Sequence, residues 1–283
     1  VSSVDAASPS ALASAQAIAA AVAEGGRRTG HVLALFDFDG TLAPLVPRYD
    51  QARLPPRRRG LLEALARRRD TTLGIVSGRQ LADLKARVGI PGLYYAGLHG
   101  LQIEGPGVRF VHPDAEHARA LVVEVRERLA VRIARLQGVD IEDKALSFSL
   151  HWRQAPEADA AAARRALDET VGVLAARGLL RLQPGERVCD VLPNVAWHKG
   201  EAVRWIRRHA ERARGRAVWP VFAGDDLTDE HAIEVFAGSG VTIVVGGRPS
   251  AARFRVPDPD ALEEVLDALA GLPPFDRAEA REP

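Results

Sequence analysis

Val32-Leu33-Ala34-Leu35-Phe36-Asp37-Phe38-Asp39-Gly40-Thr41-Leu42 decides how the rest of this chain is read. A short, continuous apolar run is what a strand buried on both faces of a parallel sheet requires. This run stops at two carboxylates set two residues apart, next to a glycine that permits a tight turn. An aspartate at such a strand end can attack phosphorus, hold a divalent metal, or do both.

Other runs repeat the design. Thr71 to Val76 ends in Ser77, Val218 to Ala223 ends in Gly224-Asp225, and Val241 to Val245 ends at Gly246-Gly247. Helical spacing follows the second run, at Leu81, Leu84 and Val88. Polar residues at the carboxyl ends of parallel strands are where open α/β sheets bind ligands. The fold class expected is α/β, a Rossmann-like parallel-sheet core.

The middle of the chain has a different rhythm. Residues 117–136 carry apolar positions at helical spacing, and Val139 to Glu142 reads as a strand. Leu146, Phe148, Leu150 and Trp152 then alternate with Ser147, Ser149 and His151, as in a half-buried antiparallel strand. A helix over Pro156 to Ala176 and strands over Leu179 to Leu182 and Arg187 to Leu192 complete the order αββαββ. This is an α+β module inserted in the parallel core. The expected domains are an N-terminal helical segment (1–30), a core (31–111 with 194–272), the insert (112–193) and a polar tail (273–283).

With 283 residues, of which 47% are apolar and 27% charged, the chain can bury a sizeable core, and its net charge of +1 leaves no basic surface for nucleic acid. The arginine clusters at Arg57-Arg58-Arg59, Arg67-Arg68-Arg69 and Arg207-Arg208 fall on helical patterns and read as solvated faces. No apolar stretch approaches a membrane span, and the Ala-rich segment from Ala11 to Val22 reads as a weakly amphipathic helix, not a leader. The lone Cys189 excludes an internal disulfide and fits a reducing, cytoplasmic setting. The absence of Met even at position 1 implies a processed chain or a fragment. Oligomeric state is left open, with a monomer the simpler expectation.

The residue types suit phosphate ester hydrolysis. Asp37 is the expected nucleophile, forming an aspartyl-phosphate, and Asp39 the acid/base that protonates the leaving alkoxide and then activates water. Gly40 permits the turn and offers backbone N–H groups to the phosphoryl oxygens. Mg²⁺ prefers oxygen ligands; Asp37, Asp225 and the Asp39 carbonyl are the expected set, with Asp226 or Asp229 as further ligands or supports. The run Gly224-Asp225-Asp226-Leu227-Thr228-Asp229-Glu230 is also a plain acidic helix start, favourable against the helix dipole. Ser77 as a hydroxyl donor and Lys199 as the neutralising cation complete the catalytic set, although Ser77-Gly78-Arg79 equally fits a turn and cap.

In this order, Asp37-Phe38-Asp39-Gly40-Thr41, Ser77-Gly78-Arg79, Lys199 and Gly224-Asp225-Asp226 resemble the four motifs of the haloacid dehalogenase (HAD) superfamily. The insert resembles that superfamily's large C2B-type cap. Thr41-Leu42-Ala43-Pro44, Gly97-Leu98-His99-Gly100, Ile141-Glu142-Asp143-Lys144 and His151-Trp152-Arg153 are more narrowly similar to the trehalose-6-phosphate phosphatases. That resemblance implies a small sugar phosphate as partner and a cap that closes over a disaccharide. It implies that Glu142 and Lys144 bind sugar hydroxyls and that His99 lines the core side of the pocket. Arg79, Gly100 and Asp190 join the implied substrate contacts. Two departures stand out: Asp190-Val191-Leu192-Pro193 occupies a stretch where the family carries Glu-Val-Arg-Pro, and Gly185-Glu186 one where Gly-Lys is common. A shortened carboxylate shifts specificity without touching the phosphatase chemistry. Phosphatases of other glycosyl phosphates, a phosphomutase, and a non-catalytic sugar-phosphate sensor are the alternatives.

Overall fold

In the computed structural model, residues 11–46 and 48–275 are described. Along the chain run β1 (Ala11–Leu12), α1 (Ala15–Thr29), β2 (Val32–Phe36), α2 (Pro56–Ala66), β3 (Thr71–Val76), α3 (Leu81–Val88), β4 (Tyr94–Gly97), β5 (Gln102–Gly105) and β6 (Val108–Val111). Next come α4 (Pro113–His117), α5 (Arg119–Ile133), β7 (Asp140–Asp143), β8 (Phe148–His151), α6 (Glu157–Ala176), β9 (Leu180–Gly185) and β10 (Val188–Pro193). The chain finishes with α7 (Lys199–Arg214), β11 (Trp219–Gly224), α8 (Glu230–Phe236), β12 (Val241–Val245), β13 (Phe254–Val256) and α9 (Pro259–Ala270). Two compact units result, one from the segments up to Arg109 and from Trp197 onward, the other from Phe110–Ala196.

The first unit holds a sheet in the order β1-β13-β12-β11-β2-β3-β4-β5-β6. It is parallel from β1 through β4, and β5 turns antiparallel on β4. Every residue of β2 is buried, which explains its unbroken apolar sequence. Ala34 and Phe36 face a core shared with Ile18 and Val22 of α1, Leu62 of α2, and Leu262 and Leu266 of α9. Each buried Val, Leu, Ile or Phe among them contributes roughly 1.5–3 kcal/mol. From β2 the chain winds to β3 on one side, and returns later through β11 on the other. The carboxyl end of β2 is therefore a topological switch point, where a crevice opens between diverging loops.

The second unit is an antiparallel sheet, β7-β8-β10-β9, with α5 and α6 packed on one face. Phe148, Leu150, Cys189 and Val191 point to those helices and meet Val125, Leu129, Ala163 and Leu167. Alternation sends Glu142, Ser149, Asp190 and Gln183 to the opposite face.

Several expectations change in detail. The helix expected over 117–136 is interrupted at Ala118, where α4 ends, and Leu136 lies beyond α5. The strand expected from Leu146 begins at Phe148, because Asp143 to Ser147 form a turn with Ala145 at φ 68°. β4, β5 and β6 carry no alternation long enough to announce them. Ala11 and Leu12 form an edge strand, and the helix starts after the Ser14 cap. The polar tail expected over 273–283 lies outside the described residues from position 276 onward.

The solvated-face reading fails for Arg58, which is 1% exposed. Its guanidinium donates to the Leu42 carbonyl at 2.7 Å and pairs with Asp260 and Glu263. A buried guanidinium needs such partners, and these are contributed by α9, some 200 residues away in sequence.

Candidate active site

Asp37 leaves the sheet as the first residue after β2, its N–H donating to Ala223 of β11 at 2.9 Å. The loop then folds back on itself. Leu42 and Ala43 donate to the Phe38 carbonyl, and Phe38 is buried beneath. Gly40 sits at φ 79°, and a Cβ there would lie 2.0 Å from an Asp225 oxygen. Only glycine permits both the conformation and the approach. Among the backbone N–H groups expected to face the phosphoryl oxygens, that of Gly40 itself is taken by the Ala43 carbonyl at 2.8 Å.

Lys199 opens α7, with His198 as its cap. Its ammonium is 2% exposed and lies 2.6 Å from Asp37, 2.7 Å from Asp229 and 3.9 Å from Asp226. Burial alone would lower the lysine pKa; the charges of Asp229, Asp37 and Asp226 outweigh it and drive the pKa up, so the ammonium stays charged. Burial pushes the Asp37 carboxyl upward, against the pull of Lys199 and with the push of Asp225 and Asp226.

Asp225 follows β11 and accepts from the Thr41 hydroxyl at 3.0 Å. Burial, then the charges of Asp229 and Asp226, push it up to about 7. Oxygens of Asp37, Asp225 and Asp229 all lie within 4.8 Å of one another. Of the three, Asp229 is already committed. One oxygen accepts from Lys199 and the other from the N–H groups of Asp225 and Asp226 at 3.1 Å each. Asp37 and Asp225 are therefore the carboxylates with capacity for a cation, and an all-oxygen donor set suits a hard divalent ion. Asp226 behaves as the acidic helix start, capping Thr228 and Asp229. Burial would raise its carboxyl, but Lys199 and the hydrogen bonds from Asp229 and Thr228 bring it well below the usual range.

Asp39 is gripped by Arg79, whose Nε and Nη2 reach its two oxygens at 2.6 and 2.7 Å. Arg79, expected to contact substrate, is instead spent on Asp39, on Asp83 at 2.9 Å and on the Tyr49 carbonyl at 2.8 Å. Two carboxylates are what a nearly buried guanidinium needs. The Ser77 hydroxyl accepts from the Arg79 N–H at 3.2 Å, as in the turn reading, which leaves its proton to donate. Gly100, also expected at the substrate, has a packing role here. A Cβ on it would lie 2.2 Å from Ala202, so its absence lets α7 and Lys199 approach. His99, at φ 55°, packs its ring over Gly78.

Within the second unit Lys144 reaches Asp190 at 3.1 Å and Glu142 at 3.7 Å. His151 lies 3.1 Å from Glu142, and the Ser149 hydroxyl donates to Asp190. Glu142, Lys144 and Asp190, distant in sequence, thus form one cluster.

A trehalose-phosphatase family model matches residues 35–260. The chain belongs to the trehalose-phosphatase family. A trehalose-phosphate phosphatase of Mycobacterium avium is 34% identical over 252 residues, covering 85% of this chain and 62% of that relative. The chain thus spans about three fifths of the length of such relatives. In fold, it is similar to the C-terminal domain of the Candida albicans trehalose-6-phosphate phosphatase (TM-score 0.76, 22% identity, 94% of this chain and 99% of that one). A haloacid dehalogenase-like hydrolase from Bacteroides thetaiotaomicron shares the fold at TM-score 0.59 and 14% identity, covering 84% and 98%. The α/β HAD fold expected from the motifs is the fold of this trehalose-phosphatase family member. No described helix is long and apolar enough to cross a membrane.

Sequence reasoning left two site residues of this family member without a role. Thr41 stood inside the first motif with nothing to bond. Arg248, whose Nε donates to the Asp225 carbonyl at 2.7 Å and which pairs with Glu230, follows the Gly246-Gly247 strand end that was noticed but not used.

Proposed function

We propose that the protein is a cytoplasmic, Mg²⁺-dependent phosphatase that hydrolyses trehalose 6-phosphate to trehalose and phosphate. The observation that carries the chemistry is the pairing of Asp37 with Lys199 at 2.6 Å at the sheet's switch point. An Asp37 oxygen attacks phosphorus in line with the departing 6-oxygen, and Lys199 offsets the charge that gathers on the phosphoryl oxygens. Asp39 gives a proton to the leaving alkoxide and recovers one from the water that cleaves the aspartyl-phosphate. Arg79 orients Asp39 for both transfers, and the Ser77 hydroxyl donates to a phosphoryl oxygen. Asp37, Asp225 and the Asp39 carbonyl would hold Mg²⁺, which when bound neutralises the two carboxylates and polarises the phosphoryl group.

In this reading the second unit is the cap, and Glu142, Lys144 and Asp190 recognise the sugar. Their support is the cluster itself, together with the family membership. Phosphate release is to be measured on trehalose 6-phosphate, sucrose 6-phosphate and glucose 6-phosphate, with and without EDTA and with Asp37→Asn as control. Trehalose 6-phosphate is expected to be preferred, EDTA to stop turnover and Mg²⁺ to restore it. Preference for another ester overturns the substrate, and turnover by Asp37→Asn overturns the nucleophile.

A further inference from the structure

The sheet face of the second unit that is turned away from α5 and α6 is laid out in cross-strand rows. One row runs Glu142, Ser149, Asp190, Gln183, each opposite the next. One step along the strands, Arg181 of β9 lies directly opposite Leu192 of β10, on the same face as Gln183. Strands lie about 4.8 Å apart, and a diagonal neighbour such as Asp190 is about 7–8 Å away, within reach of a long side chain.

The Arg181 side chain nevertheless makes no ion pair or hydrogen bond among the described residues, and its Nε is buried without an acceptor. Burial, with no compensating carboxylate, lowers its pKa. The groups beside it already have partners, Lys144 with Asp190 and Glu142 with the His151 ring. A half-buried guanidinium that bears the desolvation cost with no protein partner lacks an acceptor that a ligand can supply. The carboxylates of Glu142 and Asp190 and the amide of Gln183 on the same face suit hydroxyl groups, and an anion bound at Arg181 would lie beside those carboxylates. The missing partner is therefore a neutral polyhydroxyl group.

We propose that Arg181 is a further specificity-determining residue, donating from its guanidinium fork to hydroxyl oxygens of the glycosyl group. The inference rests on the sugar-phosphate reading above. Leu192, the residue it faces, is one of the positions where the chain departs from its family's pattern.

The test uses the full chain carrying Arg181→Met or Arg181→Lys, assayed on the sugar phosphate that wild type prefers in the panel above and on phenyl phosphate. Arg181→Met is expected to raise KM for the sugar phosphate tenfold or more with kcat within twofold, and to leave phenyl phosphate kinetics unchanged. Arg181→Lys should recover part of the loss. Because the arginine has no protein partner, Arg181→Met should keep or raise the melting temperature, whereas loss of a structural arginine would lower it. An unchanged KM, or equal losses on both substrates with a lowered melting temperature, overturns the proposal. If another sugar phosphate replaces trehalose 6-phosphate as preferred, the trehalose reading falls and Arg181 is judged on that substrate. If wild type prefers no sugar phosphate to phenyl phosphate, both readings fall.

Discussion

The two units handle charge in opposite ways. In the first, Lys199, Asp37 and Asp229 are almost fully buried and hold one another at 2.6–2.7 Å at the ends of parallel strands. In the second, Glu142, Lys144 and Asp190 stand on the face of an antiparallel sheet and answer to cross-strand neighbours. A strand end gives one position per strand, fixed by the backbone and by buried partners. A sheet face gives every second residue along several strands, and each can change without disturbing the helices behind. On the proposed function, reaction chemistry sits where geometry is over-determined, and recognition where it is editable. The departures from the family pattern at Asp190 and Leu192 fall in the editable region.

The sharpest break of this contrast is Lys199→Met. It leaves Asp37 and Asp229 buried without their counter-charge, so stability should fall by about 3–5 kcal/mol, and turnover by on the order of 10³-fold or more. Adding Asp229→Asn should recover stability in denaturant titrations but not activity. Recovery of both would mean that the lysine serves the fold alone.

Glu142→Gln tests the other side. Removing a charged hydrogen-bond partner from the sheet face should raise KM for the preferred sugar phosphate by about 10-fold, worth roughly 1.4 kcal/mol. The melting temperature and kcat should barely move. A collapse of kcat would make this residue part of the reaction chemistry and erase the division of labour.

The smallest effect lies away from both sites. His31, before β2, is buried and bonded to Thr72 at 2.8 Å, and burial followed by Arg214 and Arg216 lowers its pKa from 6.5 to about 4. The unfolded chain takes up this proton first, so stability is full above pH 6.5 and falls as pH drops towards 4. The loss should be on the order of 1–3 kcal/mol. His31→Gln should flatten that slope in melting curves recorded across the interval. An unchanged slope would place the acid sensitivity in the carboxylate cluster.

Much of the first unit was legible because its strands are short apolar runs that stop at chemically distinctive residues. β2, β3 and β12 begin and end where the sequence places them, and Asp37, Lys199 and Asp225 meet as their motif order implies. Pairing choices were not legible. Arg79 had several acids within reach of any sequence reading, and nothing local says that it takes Asp39. Arg58 looked like one more surface arginine because its partners come from the far end of the chain.

By itself, the sequence determined the alternation of buried strands and helices, the inserted module and the residue types of the reaction, because periodicity and strand-end chemistry are local properties. Only the tertiary structure decided which carboxylate holds Lys199 besides Asp37, which oxygens are left for a cation, and which arginine on the second sheet is left without a protein partner. Those outcomes depend on distances between residues far apart in the chain, and burial then makes each pairing or its absence count.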